Sequence, residues 1–215
     1  MRKYLAEIIG TFALVFCGTG AIIINQEAHG VITHVGIAIT FGLIVSAMIY
    51  TVGDISGAHL NPAVTIAFWL AKVFPAKEIV PYILSQGIGA FMASMILKFL
   101  FPENGTLGST LPTGSPTQSF VLELILTFIL MFVILNVAKG SKEQGMFAGV
   151  AIGGVVLLEA MFAGPICGAS MNPIRSIAPA LTSGHLEHLW VYIFAPIFGA
   201  SVAVGCWIVL KEKKN

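Results

Sequence analysis

Charge is what this sequence has least of. Only 10% of its residues are Asp, Glu, Lys or Arg, against about 25% in an ordinary soluble domain. The net charge of +1 points to no nucleic-acid partner, and none is expected. Cysteine is scarce too: Cys17, Cys167 and Cys206 are scattered, two of them inside apolar runs, with no metal-ligand spacing. A disulfide framework, a metal site and a bound cofactor are therefore not expected. No nucleophile stands with a base partner, which argues against an enzyme acting within the membrane.

In place of charge there is apolar length. Hydrophobic residues make up 57% of the chain, and its mean hydropathy is +0.93. A helix needs about 20 mainly apolar residues to cross a hydrocarbon core of roughly 30 Å. Six runs qualify: Leu5–Ile24, Val35–Val52, Ile79–Leu100, Ser119–Ala138, Met146–Ala163 and His188–Leu210. The prediction is an all-α membrane protein. The first run is too long for a signal-peptide core and shows no small-residue cleavage pattern after it, so it is expected to be retained. Arg2, Lys3, Lys72, Lys77, Lys139, Lys142, Lys211, Lys213 and Lys214 fall at alternate ends of the runs, which predicts cytoplasmic termini. Lys98 is the exception, expected to snorkel near the outer end of the third run.

Two segments share a Gly-Ala-x-x-Asn-Pro frame: Gly57-Ala58-His59-Leu60-Asn61-Pro62 and Gly168-Ala169-Ser170-Met171-Asn172-Pro173. Two others share Glu-x-x-x-Thr-Phe, beginning at Glu7 and at Glu123, which lie 54 and 49 positions ahead of the respective Asn. The chain reads as an internal duplication within one channel domain. Repeat 1 covers about 1–100, an irregular outside loop 101–118 with three prolines and three glycines acts as a hinge, and repeat 2 covers about 119–215. Three spans per repeat is an odd number, so the second copy enters from the opposite side and the repeats are inverted.

After each Asn-Pro comes a stretch too short to cross a bilayer, Pro62–Ala71 and Pro173–Leu181. Asn is a favoured helix cap, and Pro at the first helical position sacrifices no hydrogen bond. Two re-entrant half-helices, entering from opposite faces with their amino ends meeting near the midplane, satisfy both facts. Non-helical backbone at that depth is tolerated only where it is buried in protein or lines water, so the loops Gly57–Leu60 and Gly168–Met171 imply a water-filled lumen. Gly10, Gly42, Gly87, Gly89, Gly149, Gly153, Gly199 and Gly205 are read as sites of close helix contact.

At these motifs, over essentially its whole length, the chain resembles the major intrinsic proteins, the aquaporin and aquaglyceroporin family. The resemblance implies a homotetramer in the plasma membrane, with one pore per subunit for water and small neutral solutes. It places Asn61 and Asn172 at the pore midplane and the carbonyls of Gly57, Ala58, His59, Gly168, Ala169 and Ser170 along the lumen. Glu7 and Glu123 each brace a loop. Phe41, Ala160, Ala169 and Arg175 form the selectivity filter. A lone charge at membrane depth such as Arg175 is usually functional in its own right.

Strict water channels of the family usually carry His at the Ala160 position; glycerol facilitators usually carry a second aromatic, with Asp after the Arg. The combination here resembles the plant nodulin-like branch, which passes glycerol and uncharged metalloid acids. Ile174 stands where the family most often has Ala, and either narrows the midplane or packs outward. Glu159 either braces the second loop or stays protonated. His59 is expected to lend its loop carbonyl, with its ring satisfied locally, rather than to act as a gate; His29, His34, His185 and His188 lie near outer ends, and most are expected to be interfacial, with an outside pH sensor as the alternative. The competing readings are a strict water channel and a secondary transporter, which also uses inverted repeats and broken helices. Against the transporter stand the small size and the small side chains at the midplane.

Overall fold

The computed structural model describes residues 1–138 and 140–210, except the side chains of residues 143 and 144. Lys139, Lys211, Lys213 and Lys214, used above for orientation, lie outside the described residues. The described chain is helical: α1 (Arg2–Glu27), α2 (Thr33–Ser56), α3 (Pro62–Leu70), α4 (Ile79–Leu100), α5 (Pro116–Ala138), α6 (Lys142–Met146), α7 (Ala148–Cys167), α8 (Pro173–Ser183) and α9 (Leu189–Leu210). Among the described residues, six helices are long and apolar enough to cross a membrane: α1, α2, α4, α5, α7 and α9. With 9 and 11 residues, α3 and α8 reach roughly 14 and 16 Å, about half the hydrocarbon thickness.

The helix ends follow from backbone chemistry. α2 and α7 each stop at a left-handed glycine, Gly57 (φ 86°) and Gly168 (φ 84°), whose N–H bonds back to the carbonyl four residues earlier. α7 runs four residues beyond the expected Ala163, straight through Pro165. Proline has no N–H to give the carbonyl of Met161, four residues back. His34 on α2 takes up that carbonyl, with Nε2 donating across 2.6 Å. His34, grouped above with the outer-end histidines, has a structural part as well: its ring ties α2 to the weak point of α7.

α1 packs against α4 and α2, α5 against α9 and α7, and α2 against α7. Glycine decides how close these approaches are. A Cβ on Gly89 would collide with the Ile8 carbonyl of α1, and one on Gly199 with the Leu124 carbonyl of α5. Ile8 and Leu124 each directly follow the Glu that opens their Glu-x-x-x-Thr-Phe motif, so the two contacts are equivalent. Gly42 and Gly153 face each other in the same way across α2 and α7. Gly205 is a correction, because it is exposed with open space around it.

The half-helices pack crosswise. α3 rests on α9 as well as α4, and α8 on α4 as well as α9, so each short helix of one half is seated by the other half. Lys98 departs from the snorkelling expectation in detail. Its Nζ donates to the Thr182 carbonyl at 3.0 Å, a cation at the carboxyl end of α8 where the helix dipole favours it.

Candidate functional site

The Asn side chains build the junction between the half-helices. Asn61 Oδ1 accepts from Ala63 N at 2.9 Å, and Asn172 Oδ1 accepts from Ile174 N at 3.1 Å and from Arg175 N at 3.4 Å. That is N-capping as the motif predicts. Each amide also reaches across: Asn61 Nδ2 donates to the Met171 carbonyl and Asn172 Nδ2 to the Leu60 carbonyl, both at 2.8 Å. An amide nitrogen has two N–H groups, so each Asn holds the opposite loop with one and keeps a second for the cavity that both residues line.

The loops leading to them carry the same left-handed pattern. Gly57, Ala58 and Leu60 have φ of 86, 45 and 51°, and Gly168, Ala169 and Met171 have 84, 41 and 53°. Left-handed backbone disfavours a residue with a Cβ by about 1–2 kcal/mol, so something must hold four such residues in place. Glu7 accepts from His59 N at 2.9 Å and Leu60 N at 2.8 Å. Glu123 accepts from Ser170 N at 2.7 Å and Met171 N at 2.8 Å. Both carboxyls are wholly buried. Glu7 has further donors in Ser56 Oγ and Gln86 Nε2, at 2.7 and 2.8 Å.

Glu159 is also wholly buried, and among the described residues neither of its oxygens has a hydrogen-bond partner. Glu123 occupies the second-loop N–H groups that a bracing Glu159 would need. The His59 ring contacts Thr65 Oγ1 through Nδ1 at 3.1 Å and lies among Phe68, Phe74 and Tyr82.

Among the described residues, a pair of cavities enters from different ends of the bundle. One is walled by Tyr50, Asp54, Ala138 and Gly145 at its mouth, then by Leu14, Val45, Val64, Ile134 and Val156 opposite the loop residues 57–61 and 169–172. The other opens beside the linking segment at Thr106, Ser109, Thr110 and Leu111. Their walls have four residues in common: Phe41, Ala160, Ala169 and Arg175. These are the four that the resemblance nominates, brought together from α2, α7, the second loop and α8.

Arg175 is 2% exposed. Its Nη1 donates to the Gly108 carbonyl at 2.9 Å, and its guanidinium carbon lies 5.0 Å from the centroid of the Phe41 ring. That partner was missed from sequence, where the linking loop is read only as an irregular junction between the halves. The loop docks. Thr110 Oγ1 donates to Ser176 Oγ at 2.7 Å, and Thr113 bonds α7 through N to the Ile166 carbonyl and through Oγ1 to the Pro165 carbonyl. No motif marks Gly108 or Thr110. Their one sequence signal is that the loop lacks Lys and Arg while carrying small and hydroxyl residues.

Ile174 packs away from both cavities. Its Cδ1 lies 3.9 Å from the position a Cβ on Gly87 would occupy. The equivalent glycines Gly89 and Gly199 make position 87 the counterpart of position 197. The Asn-Pro motifs make 174 the counterpart of 63. So one half pairs a large Ile174 with a glycine, where the other carries Ala63 and Ile197. By this correspondence the larger residue stands on α8 in one half and on α9 in the other, and Ile174 walls neither cavity.

A family model described as Major intrinsic protein matches residues 1–207. The chain is 48% identical over 208 residues to Aquaporin NIP1-1 of Zea mays, covering 96% of this chain and 73% of that one. It is 44% identical over 209 residues to Nodulin-26 of Glycine max, covering 97% and 76%. Among solved structures, the aquaglyceroporin from Plasmodium falciparum superposes with a TM-score of 0.85 at 26% identity, covering 97% of this chain and 96% of that one. Half-helices, loops and spans in this arrangement, with relatives this similar over nearly all of the sequence, leave one assignment: the chain belongs to the major intrinsic protein family.

Proposed function

We infer that the chain is a passive, multi-pass membrane channel for water and small solutes, and we propose that its cargo includes glycerol, urea and uncharged metalloid acids while ions and protons are excluded. The family is one of channels, so the chain transports and does not catalyse. The observation that carries the solute reading is the wall shared by the two cavities, a single aromatic, two alanines and one arginine. Two methyl-sized residues leave room that a histidine at position 160 would fill. Aliphatic side chains facing a run of loop backbone give the lumen one apolar and one polar side, which suits a polyol.

Ion exclusion rests on two half-helix amino ends pointing at one place, each worth about half a positive charge. This is the diameter, donor and barrier logic known for aquaporin-type pores. An ion also has to shed hydration that a row of carbonyls does not fully replace. In this reading Asn61 and Asn172 mark the midplane, Phe41, Ala160, Ala169 and Arg175 select, and Glu7 and Glu123 brace. The carbonyls of Gly57, Ala58, His59, Gly168, Ala169 and Ser170 guide the file. Repeats of about 1–100 and 119–215, joined by 101–118, are related by inversion. Cytoplasmic termini, the plasma membrane and a homotetramer are proposed from charge placement and from the resemblance.

Stopped-flow light scattering on liposomes, with water, glycerol and arsenious acid as permeants, tests this. Ala160→His is expected to depress glycerol and arsenious acid about tenfold or more, the discrimination of a side-chain-sized misfit, and to spare water. If all three fall together, the assignment of the filter is wrong.

A further inference from the structure

Leu14, Gly18 and Ile22 recur at four-residue spacing along one stripe of α1. Leu14 lines the cavity on one side of the narrowing, and Ile22 lines the cavity on the other. Gly18, buried between them, lines neither, because the Phe41 ring lies over it. A Cβ on Gly18 would stand 2.5 Å from Cζ and 2.6 Å from Cδ1 of that ring, and would collide with Cε1. Gly89 and Gly199 meet the backbone of a neighbouring helix. Gly10 and Gly149, like Gly18, meet a single cavity-lining side chain, Leu60 and Tyr50 respectively, but only the ring over Gly18 belongs to the wall that the two cavities share.

We propose that Gly18 is a specificity-determining residue of this channel: it opens a recess in α1 in which the Phe41 ring lies back against the helix. The width of the narrowing is then set by a residue outside the filter as well as by the four within it. The direction of the effect follows from what bounds the ring. α1 is backed along its length by α4, and two residues on from Gly18, on the opposite face of the helix, Leu97 Cδ2 lies 3.4 Å from where a Cβ on Gly20 would stand, so the helix has little room to retreat. On the other side stand the lumen and the Arg175 guanidinium. A methyl group at position 18 drives the ring forward, toward Arg175, and narrows the passage.

The proposal rests on the reading of Phe41 as part of the filter, and the test separates the two. Gly18→Ala, Phe41→Ala and the double variant are compared with the parent chain in liposomes by stopped-flow, with water and glycerol. Alanine is a better helix former than glycine, so the first substitution strains the protein only through the ring. Glycerol flux relative to water is expected to fall about tenfold in Gly18→Ala. In the Phe41→Ala background the same substitution is expected to change nothing, since the ring is gone.

An equal effect with and without the ring overturns the proposal, as does a ratio that Gly18→Ala leaves unchanged while Phe41→Ala alters it. A ratio untouched by Phe41→Ala itself overturns the filter reading instead. If Gly18→Ala alone fails to assemble while the double variant assembles, the clash is reported by assembly rather than flux. Failure of both overturns the proposal.

Discussion

Four backbone N–H groups, those of His59, Leu60, Ser170 and Met171, sit in left-handed loops where no helix or sheet can take them. Two buried carboxyls do so. Orphaning a buried donor costs about 1–3 kcal/mol, so Glu123→Ala, which orphans two, is expected to lower thermal stability in detergent by several degrees in a chain of this size. Glu123→Gln, which keeps one acceptor, should fall between it and the parent. Glu7→Ala should be worse, because Ser56 and Gln86 lose their acceptor as well. Thermal unfolding followed by tryptophan emission ranks the three. In sequence the matched distance to the Asn-Pro motifs marked the two carboxyls as equivalent, and the family resemblance supplied their bracing role. The Gln86 and Ser56 bonds were not, since they join positions 79 and 49 residues away from Glu7, and nothing local signals them.

Helices here are defined by how they meet. His34 bonding to the carbonyl that Pro165 leaves free is one case. Removing the ring with His34→Ala takes the donor from the part-buried Met161 carbonyl, at a cost below the roughly 1–3 kcal/mol of a fully buried orphan, and α7 should bend more freely at Pro165. Faster amide exchange between Phe162 and Cys167 is the measurement. Exchange unchanged there would remove the ring from that role.

The seat of α8 is a second case, because Ile174 occupies space left by Gly87. Gly87→Ile is expected to displace α8 and with it Arg175, an overpacking effect of about 1–3 kcal/mol. Ile174→Ala added to it should restore both stability and solute flux by returning the volumes to the pattern of Ala63 and Ile197. A double variant no better than the single one shows that the exchange of volume does not seat the helix. The sequence flagged Ile174 as unusual and left its direction open, because a lone residue identity does not say which neighbour made room.

At the scale of the whole molecule, a static pore and a carrier make opposite demands. A carrier needs two states of the site. Here each half-helix is seated by both halves of the chain, and the two Asn amides clamp the opposite loops together. Glycerol flux into liposomes is therefore expected to rise linearly with concentration, to ignore an imposed pH gradient, and to be accompanied by no sodium current. Saturation at low concentration, or flux that follows the proton gradient, points to a carrier.

Composition and repeated motifs were enough to settle the number of spans, the two short helices, their caps and the family. Those features come from local rules: an apolar run has to be long enough for the bilayer, and an Asn-Pro pair starts a helix wherever it stands. What required the folded chain was every relation between distant segments. The linking loop delivering the Gly108 carbonyl to Arg175, the shared wall of the two cavities, the outward packing of Ile174 and the recess at Gly18 all depend on which side chain faces which across a helix interface. Neighbours three and four positions apart do not encode that.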